Sequence, residues 1–390
     1  MKRALLSLSL LVALPAPHAA AAPTCFGKKA TITDGKREVV RGTPGDDVIV
    51  TRGIIRLVRA GAGDDLVCAR GYNDTIYGGK GDDRVRLVRD DDGSYLYGGD
   101  GNDDLGGPGA FSYGGRGDDV IAGETLAGGP GDDDITAAEY AVLWYSGAPR
   151  AVHVDLKRGI ATGGAGRDRL HGEFARVVGS KRTDVLRGDD HSDWLSGGGG
   201  DDLLVGRGGD DLLEGDEGIG GRPGGDLIRG GDGDDEVFGG PGKDDLYGGP
   251  GRDEADPGPG DDAVWLGPGT AFVSGDHEGD DALLAGGGRD YLVFSLWGGD
   301  VQVDLAAGTV EGAGSDVVRG FEHVFGGPGD DVIRGDEWVN RLRGNDGNDT
   351  LDGAGGGDVL RGGRDVDHAD GGDGTDECEA ETTLACEDAP

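Results

Sequence analysis

Large apolar side chains stand singly along most of this chain, each two residues after an aspartate and commonly nine residues from the next of its kind. Gly230-Gly231-Asp232-Gly233-Asp234-Asp235-Glu236-Val237-Phe238 is followed directly by Gly239-Gly240-Pro241-Gly242-Lys243-Asp244-Asp245-Leu246-Tyr247. Both read G-G-x-G-x-D-x-U-x, where U is apolar. The eighth position is Val67, Ile76 and Val85 early in the chain, then Leu186, Leu195, Leu204, Leu213 and Ile228, and finally Ile333, Leu342, Leu351 and Leu360. One such motif is weak evidence, but many copies in register mark a repeat architecture.

The pattern predicts a local structure. Six residues turn the chain, and glycine allows the positive φ and close backbone approach that such a turn requires. The last three form a short strand whose middle, apolar residue points inward. Stacked turns lie about 4.8 Å apart and pair as parallel strands, with a thin ladder of Leu, Ile and Val as the core.

Two segments interrupt the period. Trp144 to Asp190 contains Val152-His153-Val154-Asp155-Leu156, and Phe294 to Glu337 contains Val301-Gln302-Val303-Asp304-Leu305. This shared alternation has period two, as in a half-buried strand. Each segment returns to the repeats through an apolar link, Phe174-Ala175-Arg176-Val177-Val178 or Phe321-Glu322-His323-Val324-Phe325. Smaller slips put Arg56 at a sixth position, shorten the step from Asp103 to Asp119, add residues around Gly215 to Gly220, and leave Ala271 without an acid. Any site built on the recurring acids is expected to suffer beside these slips.

The nonapeptides resemble the RTX, or haemolysin-type, calcium-binding repeat. The resemblance implies an all-β parallel β-roll (a β-solenoid) with two repeats per right-handed turn. It also implies Ca²⁺ held by the sixth-position carboxylates and by backbone carbonyls of the glycine turns. In this numbering the implied ligands are Asp47, Asp65, Asp74, Asp83, Asp103, Asp119, Asp133 and Asp168, then Asp184, Asp193, Asp202, Asp211, Asp226, Asp235, Asp244, Asp253, Asp262, Asp281 and Asp290. Asp316, Asp331, Asp349, Asp358, Asp367 and Asp376 complete the set, with Asn340 in register among them. Stacking aligns these acids at about 4.8 Å, where like charges repel. A cation with oxygen ligands and flexible geometry resolves the repulsion, and Ca²⁺ suits this better than Mg²⁺. Fifth-position acids such as Asp46, Asp64, Asp82, Asp201, Asp210 and Asp234 read mainly as solvent-facing charge.

The resulting organisation is a signal peptide at 1–22, an N-terminal cap at 23–40 and a first β-roll at 41–136. A spacer at 137–179, a second roll at 180–293, a second spacer at 294–325, a third roll at 326–379 and a cap tail at 380–390 follow. The basic start Met1-Lys2-Arg3, the apolar stretch Ala4 to Leu14 and the small residues Ala20-Ala21-Ala22 read as a secretory signal. No other stretch is apolar enough to span a bilayer. Export suits the four cysteines, whose placement at the two ends suggests Cys25–Cys68 and Cys378–Cys386, with free thiols as the alternative. Ala30-Thr31-Ile32-Thr33 is a plausible first capping strand.

Charge sharpens this picture. The 390 residues include 76 acidic and 37 basic side chains, a formal net charge of −39, with 35% hydrophobic and 6% aromatic residues. Such self-repulsion opposes compaction unless something cationic neutralises it. It argues against nucleic acid as a partner, because phosphate chains are bound by basic clusters. No His-Glu-x-x-His helix, Gly-x-Ser-x-Gly elbow or P-loop is present. His191 with Asp193, or Asp276 with His277, can be imagined as pairs, but no third partner follows from sequence. Trp194, Trp265, Trp297 and Trp338 read as covers for roll edges. The chain reads as an extracellular calcium-binding protein with a structural or interaction role, and not as an enzyme. A polysaccharide-active β-helix enzyme (epimerase or lyase) and an adhesin are the alternatives, and no protein or polysaccharide partner is named by the sequence.

Overall fold

A computed structural model describes residues 23–33, 38–52, 57–71, 73–88, 93–107, 109–216, 221–274, 279–294, 299–312 and 314–386. The expected signal peptide, Arg56, Asp276, His277 and Trp297 lie outside them. The described residues contain strands and turns without a helix, wound into a parallel β-solenoid of about 18 turns.

Each repeat becomes one turn and one strand, as its composition requires. In the regular turns the strand is three residues long, as in Glu236–Phe238, Asp245–Tyr247 and Glu254–Asp256, and only the middle residue is buried. The turn before it needs backbone that other residues rarely adopt. Gly231 has φ +127° and Gly233 φ +139°, and a side chain on Gly231 would meet the Arg207 carbonyl of the turn below.

Successive strands alternate between two faces, and each pairs with the strand one turn away. Leu66–Ala69 pairs in parallel with Arg84–Leu87, with Val67 opposite Val85. Glu236–Phe238 pairs with Glu254–Asp256 in the same way, with Val237 opposite Ala255. The two inward rows meet in one core running from Val40 to Ala369. A regular turn such as that of Val237 and Leu246 contributes two apolar side chains to it, worth about 1.5–3 kcal/mol apiece on full burial. This core is thin, and the stack depends on what holds its turns together.

The two interrupting segments add strands to one face only. The first contains Val152–Asp155, Ile160–Gly163 and Gly166–His171, joined as an antiparallel meander. Its last strand pairs with the turn below through Asp134–Trp144, and its first pairs with Val185–Arg187 above. Gln302–Asp304, Thr309–Glu311 and Ser315–Arg319 repeat this arrangement between Ala282–Leu284 and Val332–Arg334. The expected alternation holds, with Val152, Val154, Val301 and Val303 buried and His153 and Gln302 exposed. On the opposite face the ladder passes without extra strands from Leu143 to Val177 to Leu195, and from Leu292 to Val324 to Leu342.

Both ends are fastened. A disulfide joins Cys25 to Cys68, tying the hairpin of Thr24–Cys25 and Lys28–Lys29 to the first turns, and Ile32–Thr33 pairs with Val48–Val50. Cys378 bonds to Cys386, where Thr382–Leu384 lies on His368–Asp370. Both bridges are those expected from the cysteine placement, and they cover strand edges that would otherwise invite pairing.

Candidate metal sites

Each sixth-position aspartate sits just before its strand, so the stacking that aligns the strands also aligns the carboxylates. Every one of the sequence-predicted ligands, Asp47 through Asp376, is buried, as is Asn340. Their Oδ1 atoms form a ladder. The backbone N–H of Asp47 donates to Asp65 at 2.7 Å, that of Asp65 to Asp83 at 2.9 Å, and that of Asp83 to Asp103 at 2.8 Å. Another run passes from Asp184 to Asp202, Asp226, Asp244 and Asp262 at 2.6–2.8 Å.

Holding Oδ1 fixes where Oδ2 points. In Asp65, Asp83, Asp103, Asp119, Asp133, Asp202, Asp211, Asp226 and Asp235 the Oδ2 atom is buried without a hydrogen-bond partner. The same holds for Asp244, Asp253, Asp262, Asp281, Asp290, Asp316, Asp349, Asp358 and Asp367. Each regular repeat aims this oxygen beneath its own first glycine. A Cβ on Gly230 would strike Oδ2 of Asp235 and lie 2.8 Å from the Gly248 carbonyl of the next turn. Gly206 stands in the same relation to Asp211 and the Gly230 carbonyl. Glycine is required here because the carboxylate oxygen and a facing carbonyl occupy the space of a side chain.

Other carboxylates have protein donors on both oxygens. Asp47 is held by the Thr31 and Thr43 hydroxyls and the Thr43 N–H, and Asp168 by the Tyr145 hydroxyl and the Asp133 N–H. Ser180 and the Val152 N–H serve Asp184, while the Val301 and Gly327 N–H groups serve Asp331. These positions border the first turn or a meander. Near the meanders two other side chains also reach back. Arg207 (φ +90°) donates to the Gly188 carbonyl at 2.6 Å and to Asp155, and Asn345 (φ +88°) donates to the Gly326 carbonyl at 2.6 Å.

The ladder survives the slips in period. Asp103 N–H reaches Asp119 at 2.7 Å across the shortened turn, and Asp202 N–H reaches Asp226 across the lengthened one. At Ala271 the N–H still reaches Asp290 at 2.9 Å, but the carboxylate is missing. Sequence reasoning missed Glu322 and Glu381, which accept from the Asp290 and Asp367 N–H groups at 2.9 Å. Their signal was position: each lies two residues before the middle of a strand. It also missed a second ladder outside the first. Asp46 accepts from the Asp64 N–H, and Asp64 from the Asp82 N–H, both at 2.9 Å, while these acids remain exposed as expected. His191 contacts Asp189 at 2.7 Å in an exposed turn, not Asp193. Trp265 stacks on Tyr247, and Trp194 lies under Arg176.

Burial makes ionisation of the inner row costly. It pushes the carboxyls of Asp83, Asp119, Asp211, Asp226, Asp244, Asp253, Asp262, Asp316 and Asp349 up to about 7, against the N–H donated by the neighbouring turn. Asp133 is pushed up to about 8 and Asp202 to about 9 by the same cause, with neighbouring carboxylates adding to it. The chemistry of the donors suits calcium. Carboxylate and backbone carbonyl oxygens are the hard ligands that Ca²⁺ takes in flexible geometry. No group of three or more His, Cys, Asp or Glu side chains that could hold a metal occurs among the described residues, so carbonyls must supply much of any shell.

Nine segments match the RTX calcium-binding nonapeptide repeat: 59–93, 94–108, 160–174, 187–220, 220–255, 277–293, 318–337, 325–360 and 343–378. Together they cover more than half of the chain. The chain belongs to the RTX calcium-binding repeat family. No curated protein matches it. The match at 160–174 takes in the last strand of the first meander, so this RTX chain carries repeat sequence even where its period breaks. Among the described residues no helix is long and apolar enough to cross a membrane.

Proposed function

We propose that this RTX protein is an extracellular calcium-binding protein whose folding is driven by Ca²⁺, and that its role is structural or interactive. The observation that carries the reading is the row of buried, partnerless Oδ2 atoms, set beside a glycine carbonyl of the next turn at Asp83, Asp103, Asp119, Asp202, Asp211, Asp226, Asp235 and Asp358. The carboxylates named above with an open Oδ2 would hold the ion, together with the carbonyls of first-position glycines. Bound there, Ca²⁺ supplies positive charge between acids that otherwise repel. The chain's residues do the rest: the N–H ladder orients each carboxylate, and the glycines leave room beside it. Asp47, Asp168, Asp184 and Asp331 orient the first turn and the turns that border a meander, since protein donors already meet both of their oxygens.

The thin core and the charge of −39 support metal-dependent folding, because low hydrophobicity with high net charge does not offset chain entropy. The basic, apolar and small-residue pattern at 1–22 supports export, as do two disulfides. Counting bound calcium by native mass spectrometry tests the reading. On the order of ten to twenty ions is expected, with per-site affinity of about 10⁻⁴–10⁻³ M as in extracellular modules; two or fewer would overturn it.

A further inference from the structure

A net basic stretch of this acidic molecule lies beside the first meander, and calcium binding gives it no role. Residues 144–182 hold eight basic side chains against three acidic ones, in a chain of net charge −39. Arg150, Lys181, Arg182 and Arg222 converge on one open cleft of about 870 Å³. All four are exposed, and none forms an ion pair among the described residues. Grouped charges of one sign in a cleft focus potential and draw in ligands of the opposite sign.

The floor of the cleft is bare backbone. Gly200 N–H donates to the Arg222 carbonyl at 2.9 Å, and a Cβ on Gly200 would lie 2.8 Å from the Arg182 carbonyl carbon. Arg182, Gly200 and Arg222 therefore stand on successive turns, and the two arginines flank a glycine gap about two strand spacings, or roughly 9.6 Å, wide. An extended chain can lie along this gap with an anionic group at each end.

Two further residues narrow the ligand class. Asp201 lines the cleft, with Oδ1 taken by the Gly225 N–H at 3.1 Å, and Thr183 adds a hydroxyl. A carboxylate among the cations accepts hydrogen bonds from hydroxyl groups, which a sugar chain presents along its whole length and a DNA phosphodiester backbone does not. Among the described residues no aromatic ring lines the cleft to stack a base. A second copy of this chain would bring its own charge of −39 against the rest of the surface. We propose that this cleft binds an acidic polysaccharide. Uronate carboxylates pair with Arg150, Lys181, Arg182 and Arg222, and sugar hydroxyls bond to Asp201 and Thr183. The proposal stands on charges outside the calcium ladder.

The test uses the full calcium-loaded chain and a galacturonate oligomer too short to gel, followed by calorimetry over a range of salt. Expected is binding that weakens with salt and falls about tenfold or more when Lys181→Gln, Arg182→Gln and Arg222→Gln are combined. The pair Arg361→Gln and Arg364→Gln, at the other end of the solenoid, should bind as the parent does, and calcium uptake should be unchanged in both. A neutral maltose oligomer and a DNA duplex should not bind. Failure of the parent to bind overturns the proposal, and so does DNA binding as tightly as uronate. Binding undiminished in the triple variant also overturns it, because the uronate is then bridged to the chain's own acids through calcium. Should the triple variant lose calcium uptake, Arg150→Gln and Arg222→Gln taken singly replace it. Severalfold loss in each is expected, and no loss in either overturns the proposal.

Discussion

Replacing Asp226 by asparagine is expected to shift stability in opposite directions with and without calcium. Asp226 is 2% exposed. Its Oδ1 accepts the Asp202 N–H at 2.8 Å, its own N–H donates to Asp244 at 2.7 Å, and its Oδ2 has no partner. Burial pushes the carboxyl from 3.8 up to about 7, against the Asp202 hydrogen bond, and the charges of Asp216 and Asp201 add to it. Each pKa unit is worth about 1.4 kcal/mol, so keeping this group ionised in the metal-free fold costs at most roughly 4 kcal/mol. Solvent close to so thin a coil reduces that to roughly 2 kcal/mol. Asparagine keeps the Oδ1 acceptor and removes the charge. Without calcium at about pH 8, Asp226→Asn should therefore be more stable by roughly 2 kcal/mol. With saturating calcium it lacks one anionic oxygen and should be less stable by roughly 2 kcal/mol, the scale of interactions made by charged groups. Urea unfolding followed by circular dichroism, in chelator and in excess calcium, reads both signs. An excluded osmolyte brings the metal-free transition into range. Equal destabilisation in both conditions would mean that the carboxylate acts through hydrogen bonding and packing alone, not through its charge.

Acid should partly replace the metal. The raised carboxyls bind protons more tightly folded than unfolded, so their stabilisation of the metal-free fold is complete below about pH 4 and lost as pH rises through about 6 to 9. Metal-free protein taken from about pH 8 to about pH 5 should gain β-structure by circular dichroism, and a loss across that range contradicts the burial argument. Asp235→Ala should weaken the turns of 180–293 and leave those of 326–379 nearly unchanged in hydrogen exchange, since stacked repeats couple mainly to neighbours; equal loss in both would show one cooperative unit. The Cys25–Cys68 bridge spans 43 residues and Cys378–Cys386 spans 8. Loop entropy makes their removal cost about 4 and about 2.5 kcal/mol respectively, so paired Cys→Ala variants should differ in that order in thermal melts.

The nonapeptide period was enough to read the fold because each repeat is a complete unit, one glycine turn and one strand with a single inward residue. For the same reason the buried row of aspartates was legible from Asp47 to Asp376, including Asp168 and Asp316 inside the meanders. The one-sidedness of the meanders was not legible. Their return strands, Ile160–Gly163 and Thr309–Glu311, each bury one small or branched residue, Ala161 or Val310, and locally look like any repeat strand. Nor could sequence show which carboxylates keep an open oxygen. That depends on Tyr145 reaching Asp168 and on Thr31 reaching Asp47, contacts between residues 23 and 16 positions apart. Glu322 escaped because the motif names aspartate, although its place two residues before Val324 is the sixth position of the repeat.

Whether metal between the turns makes the stack fold is read by circular dichroism of the chelated protein during a calcium titration, with magnesium and added salt as controls. A disordered spectrum is expected in chelator, with a cooperative rise to full β-structure on adding calcium. Magnesium and salt should leave it largely unchanged. Full β-structure in chelator, or its recovery with salt alone, would contradict metal-driven folding.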